Sequence, residues 1–249
     1  MDVEKVKQWH CPEGTGVPLI TMPNVPRPLH GKGMQPRTIF GKQTWDFMRK
    51  QAYYNAGYKC EICGREPKKG DLHAHELFSY DYSKQTGKFE RVVAICRTCH
   101  DGIHSGRLLT LCKQHNPLYP KSYVLKVMEN CFSLVHKYNE EHPDDEPLKV
   151  YSTYLECLKM PELCEEAEAL IKKYNISFYE ESIPKYKHWK GWKVIVGKNT
   201  YDSPYTCQSD WEEAMQEANK HDSARLAANP FKGEVFDEID KILDNNTQA

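Results

Sequence analysis

Apolar and polar residues alternate along 72–80 and again along 89–95 (FERVVAI). That is the period of strands with one covered face. The tract between them, 81–88 (DYSKQTGK), is polar and turn-forming, so the strands should pair as a hairpin. A different period governs 121–140, where Val124, Val127, Met128, Cys131 and Val135 recur every three or four positions and predict an amphipathic helix. A shorter stripe of Trp45, Met48, Ala52 and Tyr53 predicts a helix over 44–56, with Thr44 as its cap and Gly57 just past its end. A short helix is expected over 98–105, stopping at Gly106. Further along, 151–174 reads as helical with a break near Pro161, and 189–201 as a second hairpin. Ser209 to Glu212 resembles a capping box opening a helix to about residue 220, and 234–244 reads as a last acidic helix. Residues 1–43, rich in Pro and Gly, follow neither period and are expected to lie as an extended arm over the surface.

These elements describe an α+β chain in four parts: the arm (1–43), a unit over 44–139, an acidic linker over 140–150 containing EEHPDDEP, and an acidic α+β region over 151–249, mostly helical with a small hairpin. A chain of 249 residues holds one large domain or two modest ones. No run approaches the roughly 18 apolar residues of a spanning helix, and the first residues have no apolar signal core. The expectation is therefore a cytoplasmic protein with no membrane partner.

The net charge of −1 taken alone argues against nucleic-acid binding, but its distribution changes that picture. Residues 1–137 hold 21 Lys and Arg against 12 Asp and Glu, a net of +9, whereas 138–249 hold 13 against 23, a net of −10. A basic half of this kind is a hint of nucleic-acid contact. Ten cysteines are too few for a disulfide-stapled secreted scaffold. In a reducing compartment, clustered cysteines point to metal or to catalysis.

Two pairs are clustered: Cys60-x-x-Cys63 and Cys96-x-x-Cys99. Together they supply the four thiolates of a closed tetrahedral zinc site, which is structural because no coordination position stays open. The 32 residues between the knuckles exceed the common ribbon spacing and contain the predicted hairpin. His73 and His75 are two apart on a strand and share a face. His100 and His104 are four apart on a helix and also share a face. A hairpin followed by a helix can bring the two faces together as an imidazole pocket beside the zinc scaffold. Neutral imidazoles bind divalent metals, and one left free can act as a general base near neutral pH. One such histidine is more often a packed or surface residue. Four of the chain's eleven within this segment favour a joint role.

Trp45, Asp46 and Arg49 precede Tyr58-x-Cys60-Glu61-x-Cys63-Gly64. Then come His75-Glu76-x-Phe78-x-Tyr80 and Cys96-x-x-Cys99-His100-x-x-x-His104. Over residues 36–107 this pattern resembles the HNH endonucleases, of the His-Me finger group with a zinc-bearing treble clef. The resemblance implies a ββα-metal core and hydrolysis of DNA phosphodiester bonds to 5′-phosphate and 3′-hydroxyl ends, in a bacterium or a phage-infected host. It also implies His75 as general base, with His100 and His104 as ligands of a catalytic divalent metal: Mg²⁺ first, with Mn²⁺, Ni²⁺ or Zn²⁺ as alternatives. The chain departs from the family in having Ala74 where a metal-binding Asp or His commonly stands, and in having no clear counterpart of the central Asn between Glu90 and Arg97. His73 or Glu76 could replace the missing ligand. The roles of His75 and His73 could also be exchanged, with His75 a ligand and His73 the base. RNA cleavage, and a non-catalytic zinc module that binds nucleic acid or a protein, are the rival functions.

Arg97 and Arg107 flank the histidine helix and are candidates for phosphate contact, with a solvated role equally open. Glu76 should point away from His75 and form an ion pair with Arg91 or Arg97. Trp45, Tyr53 and Tyr54 read as packing residues. Cys11, Cys112, Cys131, Cys157, Cys164 and Cys207 have no knuckle spacing and read as small buried hydrophobes. The acidic region carries no motif that assigns it a role.

Overall fold

The computed structural model describes residues 8–9, 16–22, 25–31, 34–179 and 189–217; Cys11 and the helix expected over 234–244 lie outside them. Five strands form a mixed sheet in which β1 (Gln8–Trp9), β2 (Leu72–Asp81), β3 (Thr86–Cys96), β6 (Lys193–Val196) and β7 (Asn199–Asp202) lie side by side. The hairpin of β2 and β3 is its centre, in antiparallel register with His75 opposite Val93. β6 joins β3 in parallel at Thr86–Lys88. A separate parallel pair is made by β4 (Val150–Tyr151) and β5 (Phe178–Tyr179). The hairpin expected over 189–201 is observed as β6 and β7.

Simple alternation describes the central hairpin only in part. The register shifts between Leu77, opposite Arg91, and Phe78, opposite Phe89, so Glu90 is an extra residue on β3. A bulge of this kind reverses which face the following residues take. Here it puts Phe89 on the same side as Val92, with Phe78 and Tyr80, while Val93 and Ile95 pack with Leu77 on the other side.

The first face is covered by α1 (Pro36–Asn55), through Ile39, Phe40 and Met48, and by Trp192 and Val194 of the second hairpin. α1 begins eight residues before Thr44. Pro36 stands at its first turn, where a missing N–H costs nothing, and Gly41, at φ 74°, carries a kink that joins two helical pieces. The opposite face is covered by α2 (Arg97–Ile103), α3 (Ser105–Lys113) and α4 (Lys121–Glu141). The helix does not stop at Gly106: His104 (φ −92°, ψ 39°) interrupts it, and α3 continues to Lys113.

The arm is not a surface strap in its described parts. Short 3₁₀ turns at 17–21 and 27–29 bury Leu19 and Ile20 beside α4's core and Leu29 beside Phe78 and Phe89. A proline-rich segment needs no period to bury its few apolar side chains, so the pattern does not reveal them. The acidic tract 140–147 is an exposed helix end and loop. Beyond it, Val150, Tyr154, Cys157, Leu163 and Ala167 belong to the same core as α4. They come from β4, a 3₁₀ helix at 152–159 and α5 (Cys164–Lys173), which bracket Pro161. Among the described residues a further helix, α6, covers 208–217. Ser209 is inside it, and its start is fixed by Asp210, which accepts bonds from the Thr206 amide and hydroxyl. Cys112, Cys131 and Cys157 are buried in the core, whereas Cys164 and Cys207 are half-buried. Among the described residues no helix is long and apolar enough to cross a membrane.

α2 and α4 approach closely because Gly102 has no side chain. A Cβ there would lie 2.3 Å from Cys131 Sγ. Gly102→Ala should therefore destabilise the protein by about 1–3 kcal/mol, the cost of overpacking a filled core. A second substitution, Cys131→Ala, should recover part of that loss. Chemical denaturation of the single and double variants measures the coupling, and additive losses would refute the contact.

Candidate metal centre

The first knuckle follows α1 through a sharp reversal, with Gly57 and Tyr58 at φ 57° and 58°, and closes at Gly64, at φ 69°. Gly64 donates its amide to the Cys60 carbonyl at 2.8 Å. A side chain at that φ would be strained, which accounts for the glycine after the second cysteine.

Glu61, between the two thiols, fastens the knuckle to β3. Its amide donates to the Ala94 carbonyl at 2.8 Å, and the Ala94 amide donates to its Oε1 at 2.7 Å. Its Oε2 pairs with Arg91 at 3.0 Å. The knuckle thus takes the place of a neighbouring strand on β3. Glu61→Ala should cost about 1.5–3 kcal/mol, the range for a lost charge-assisted bond with a buried amide left unpaired. Glu61→Gln, which keeps an acceptor for Ala94, should cost less. Equal melting of both variants and the parent would contradict this role.

The second knuckle is the junction of β3 and α2. Cys96 ends the strand in extended conformation (φ −69°, ψ 155°) and caps the helix, and Cys99 sits in its first turn. The four sulfurs lie within 4.8 Å of one another, and Cys63 Sγ and Cys96 Sγ are 3.9 Å apart. Zinc–sulfur bonds of about 2.3 Å place tetrahedral ligands about 3.8 Å apart, so the cluster can hold a metal ion such as zinc. The surroundings suit thiolates. Arg65 Nε is 3.4 Å from Cys63 Sγ, and Asn130 Nδ2 of α4 is 3.5 Å from Cys99 Sγ. Arg65 also donates to Asn130 Oδ1, which links the two. Mutual hydrogen bonding holds the Cys63 thiol far below its ordinary range. Cys60 lies at about 6: its bond with Cys63 raises it, and the bonds with Cys96 and Cys99 together bring it down. Cys96 and Cys99 are pushed up by the thiolates they face. Were all four sulfurs anionic at this separation, they would need a cation among them.

The histidines form a second cluster. His73 and His75 project from one face of β2, and His100 and His104 from α2 and the break after it. Ring centroids are separated by 5.3 Å for His75 and His100, 5.0 Å for His75 and His104, and 4.7 Å for His100 and His104. Each of these three offers a nitrogen, all within 4.8 Å of one another. His73 stands at the edge, 5.1 Å from His100. His75 is the most enclosed, at 8% exposure, whereas His100 and His104 keep partial contact with solvent. Burial lowers all four imidazoles, His75 to about 3 and His104 to about 4, and the neighbouring imidazoles lower His100 further. They are neutral at pH 7, the form that binds metal or takes up a proton.

Other expected residues fall elsewhere. Ala74 offers no ligand. Glu76 is on the opposite side of the strand, where burial raises its carboxyl and the charge of Arg37 of α1 partly offsets this. Arg91 is paired instead with Glu61, and Arg97 with Asp101. Arg97 also donates to the Leu118 carbonyl at 3.1 Å and packs over Tyr119 and Tyr123. It therefore fastens the loop after α3, and buried Asp101 accepts from Tyr123 at 2.7 Å. Arg107 is exposed, and its charge reaches His73, His100 and His104. One neighbour had no signal in the sequence: His30 of the arm, which lies close enough to be electrostatically coupled to His104. Its carbonyl accepts from Trp211 of α6 at 3.0 Å. Residues so far apart in the chain meet only through the fold.

Compared with models of known protein families, with curated proteins and with solved structures, the chain shows no match.

Proposed function

We propose that this chain is a metal-dependent endonuclease of the HNH type that hydrolyses DNA. The observation that carries the reading is the convergence of His75, His100 and His104 within 4.8 Å, on a hairpin and the helix after it, beside four clustered cysteines. A zinc module that only binds needs the cysteines and has no use for three neutral imidazoles in a partly open cluster.

His100 and His104 would hold a divalent cation, which supplies charge stabilisation to the scissile phosphate and the departing oxygen. His75, uncharged and facing both, takes the proton of the attacking water. Arg107 contributes a positive charge toward the phosphate, and Arg97 fastens the loop after α3. Three imidazoles with no carboxylate among them favour Mn²⁺, Ni²⁺ or Zn²⁺ over Mg²⁺. One observation favours a second assignment: His75 offers a nitrogen within 4.8 Å of those of the other two, so it can serve as third ligand, with half-buried His73 as base.

The test is nicking of supercoiled plasmid with Mn²⁺, Ni²⁺, Mg²⁺ or EDTA, beside a labelled RNA of equal length. Metal-dependent nicking with little RNA cleavage is expected, fastest with Mn²⁺ or Ni²⁺. Preferential RNA cleavage would move the substrate class. Binding with no cleavage under any metal would leave the non-catalytic module.

A further inference from the structure

Large apolar side chains at the surface are informative when they gather. Among the described residues four are strongly exposed, and three of them lie on or just after α1: Phe47 at 67%, Tyr54 at 71% and Tyr58 at 46%. Phe47 and Tyr54 are seven residues apart, two helical turns, so they stand on one ridge about 10 Å apart. Tyr58 follows in the reversal just past the helix end. The buried side of α1 is occupied by Trp45 and Ala52 against the sheet, so packing does not explain the ridge. Tyr54 is thus not the packing residue its sequence suggests.

The ridge has one sign of charge. Lys50 is exposed between Phe47 and Tyr54, Lys42 and Lys59 are exposed nearer the two ends of the helix, and the remaining exposed positions from 42 to 59 are uncharged. The carboxylate of this stretch, Asp46, is half-buried and paired with Arg49 at 3.3 Å. Aromatic faces interleaved with lysines suit a polyanion carrying flat apolar rings. The ridge also has a fixed relation to the histidines. Tyr53, on the flank next to Tyr54, lies close to the backbone of Ala74, between His73 and His75. The ridge therefore runs about one helix diameter, ~10 Å, from the strand edge that carries them.

We propose that the outer ridge of α1 is a binding surface for single-stranded nucleic acid, with unpaired bases stacked on Phe47 and Tyr54 and phosphates held by Lys50 and Lys59. Stacking requires open base faces, which a duplex does not present. The inference takes nucleic acid as substrate class from the function proposed above, but its experiment needs no turnover.

In EDTA, fluorescence anisotropy of a labelled 15-nucleotide oligothymidine would be compared with that of an abasic strand of the same length. Phe47→Ala with Tyr54→Ala should weaken oligothymidine binding at least tenfold and leave abasic binding unchanged. Lys50→Gln with Lys59→Gln should weaken both strands and flatten the salt slope by about 0.7 per lysine. Melting curves and zinc content confirm that the variants are folded. Unchanged oligothymidine affinity in the aromatic variant, or equal loss on the abasic strand, would overturn the proposal. So would loss only of self-association or of binding to anionic phosphatidylserine vesicles, which would make the ridge a protein or lipid surface. Failure of plasmid nicking with intact ring-dependent binding would instead count against the nuclease reading alone.

Discussion

Cys96→Ala yields a protein that melts about 10–20 °C lower than the parent and no longer retains one zinc per chain. Cys96 ends β3, caps α2 and faces Cys63 at 3.9 Å. Removing it leaves three sulfurs, of which Cys60 in the first knuckle and Cys99 in the first turn of α2 are buried. Structural zinc in small peptides contributes about 10–16 kcal/mol. The chain keeps a core of its own around α4, so only part of that is at stake here; a loss of about 5 kcal/mol corresponds to about 10–20 °C at this size. The control is Cys112→Ala, which removes a buried thiol outside the cluster. It should cost only the ordinary price of a small cavity and keep the zinc. Zinc content and melting, measured together on both variants, check this. Unchanged melting of Cys96→Ala with one zinc bound would contradict a structural role.

The segment that could hold metal is legible in the chain because its determinants are local. A knuckle is a four-residue pattern, a strand puts residues two apart on one face, and a helix does so for residues four apart. Cys60, Cys63, Cys96, Cys99, His75, His100 and His104 follow from those spacings, as does the hairpin between the knuckles. What could not be read depends on contacts distant in sequence. The extra residue Glu90 reverses the face taken by Phe89, and only the partner strand reveals it. Leu19 and Leu29 enter the two cores from a segment with no period. Residues 150–167 share a core with α4 across an acidic loop, and composition draws a boundary there without seeing the packing. His30 comes near His104 through a turn held by α6. The two arginines have the same appearance in sequence. Arg97 is committed to Asp101 and the Leu118 carbonyl, while Arg107 keeps an exposed charge beside the histidines.

His75→Ala should abolish nicking while the fold and the zinc survive. The imidazole faces both His100 and His104, is neutral at pH 7 and lies at the floor of the cluster, and removing a general base costs about 10²–10⁴-fold in rate. Because the ring is buried, the alanine variant also leaves a cavity. His75→Gln, which fills most of the space but cannot serve as base, separates chemistry from packing. If His75 is instead a ligand and His73 the base, His73→Ala loses nicking with its divalent-metal affinity unchanged, and His75→Ala loses that affinity. The most direct measurement is the single-turnover nicking rate of His75→Gln beside the parent in saturating Mn²⁺, with zinc content and melting taken on the same samples. The account predicts a rate at least about 100-fold lower with one zinc retained and melting little changed; equal rates would contradict it.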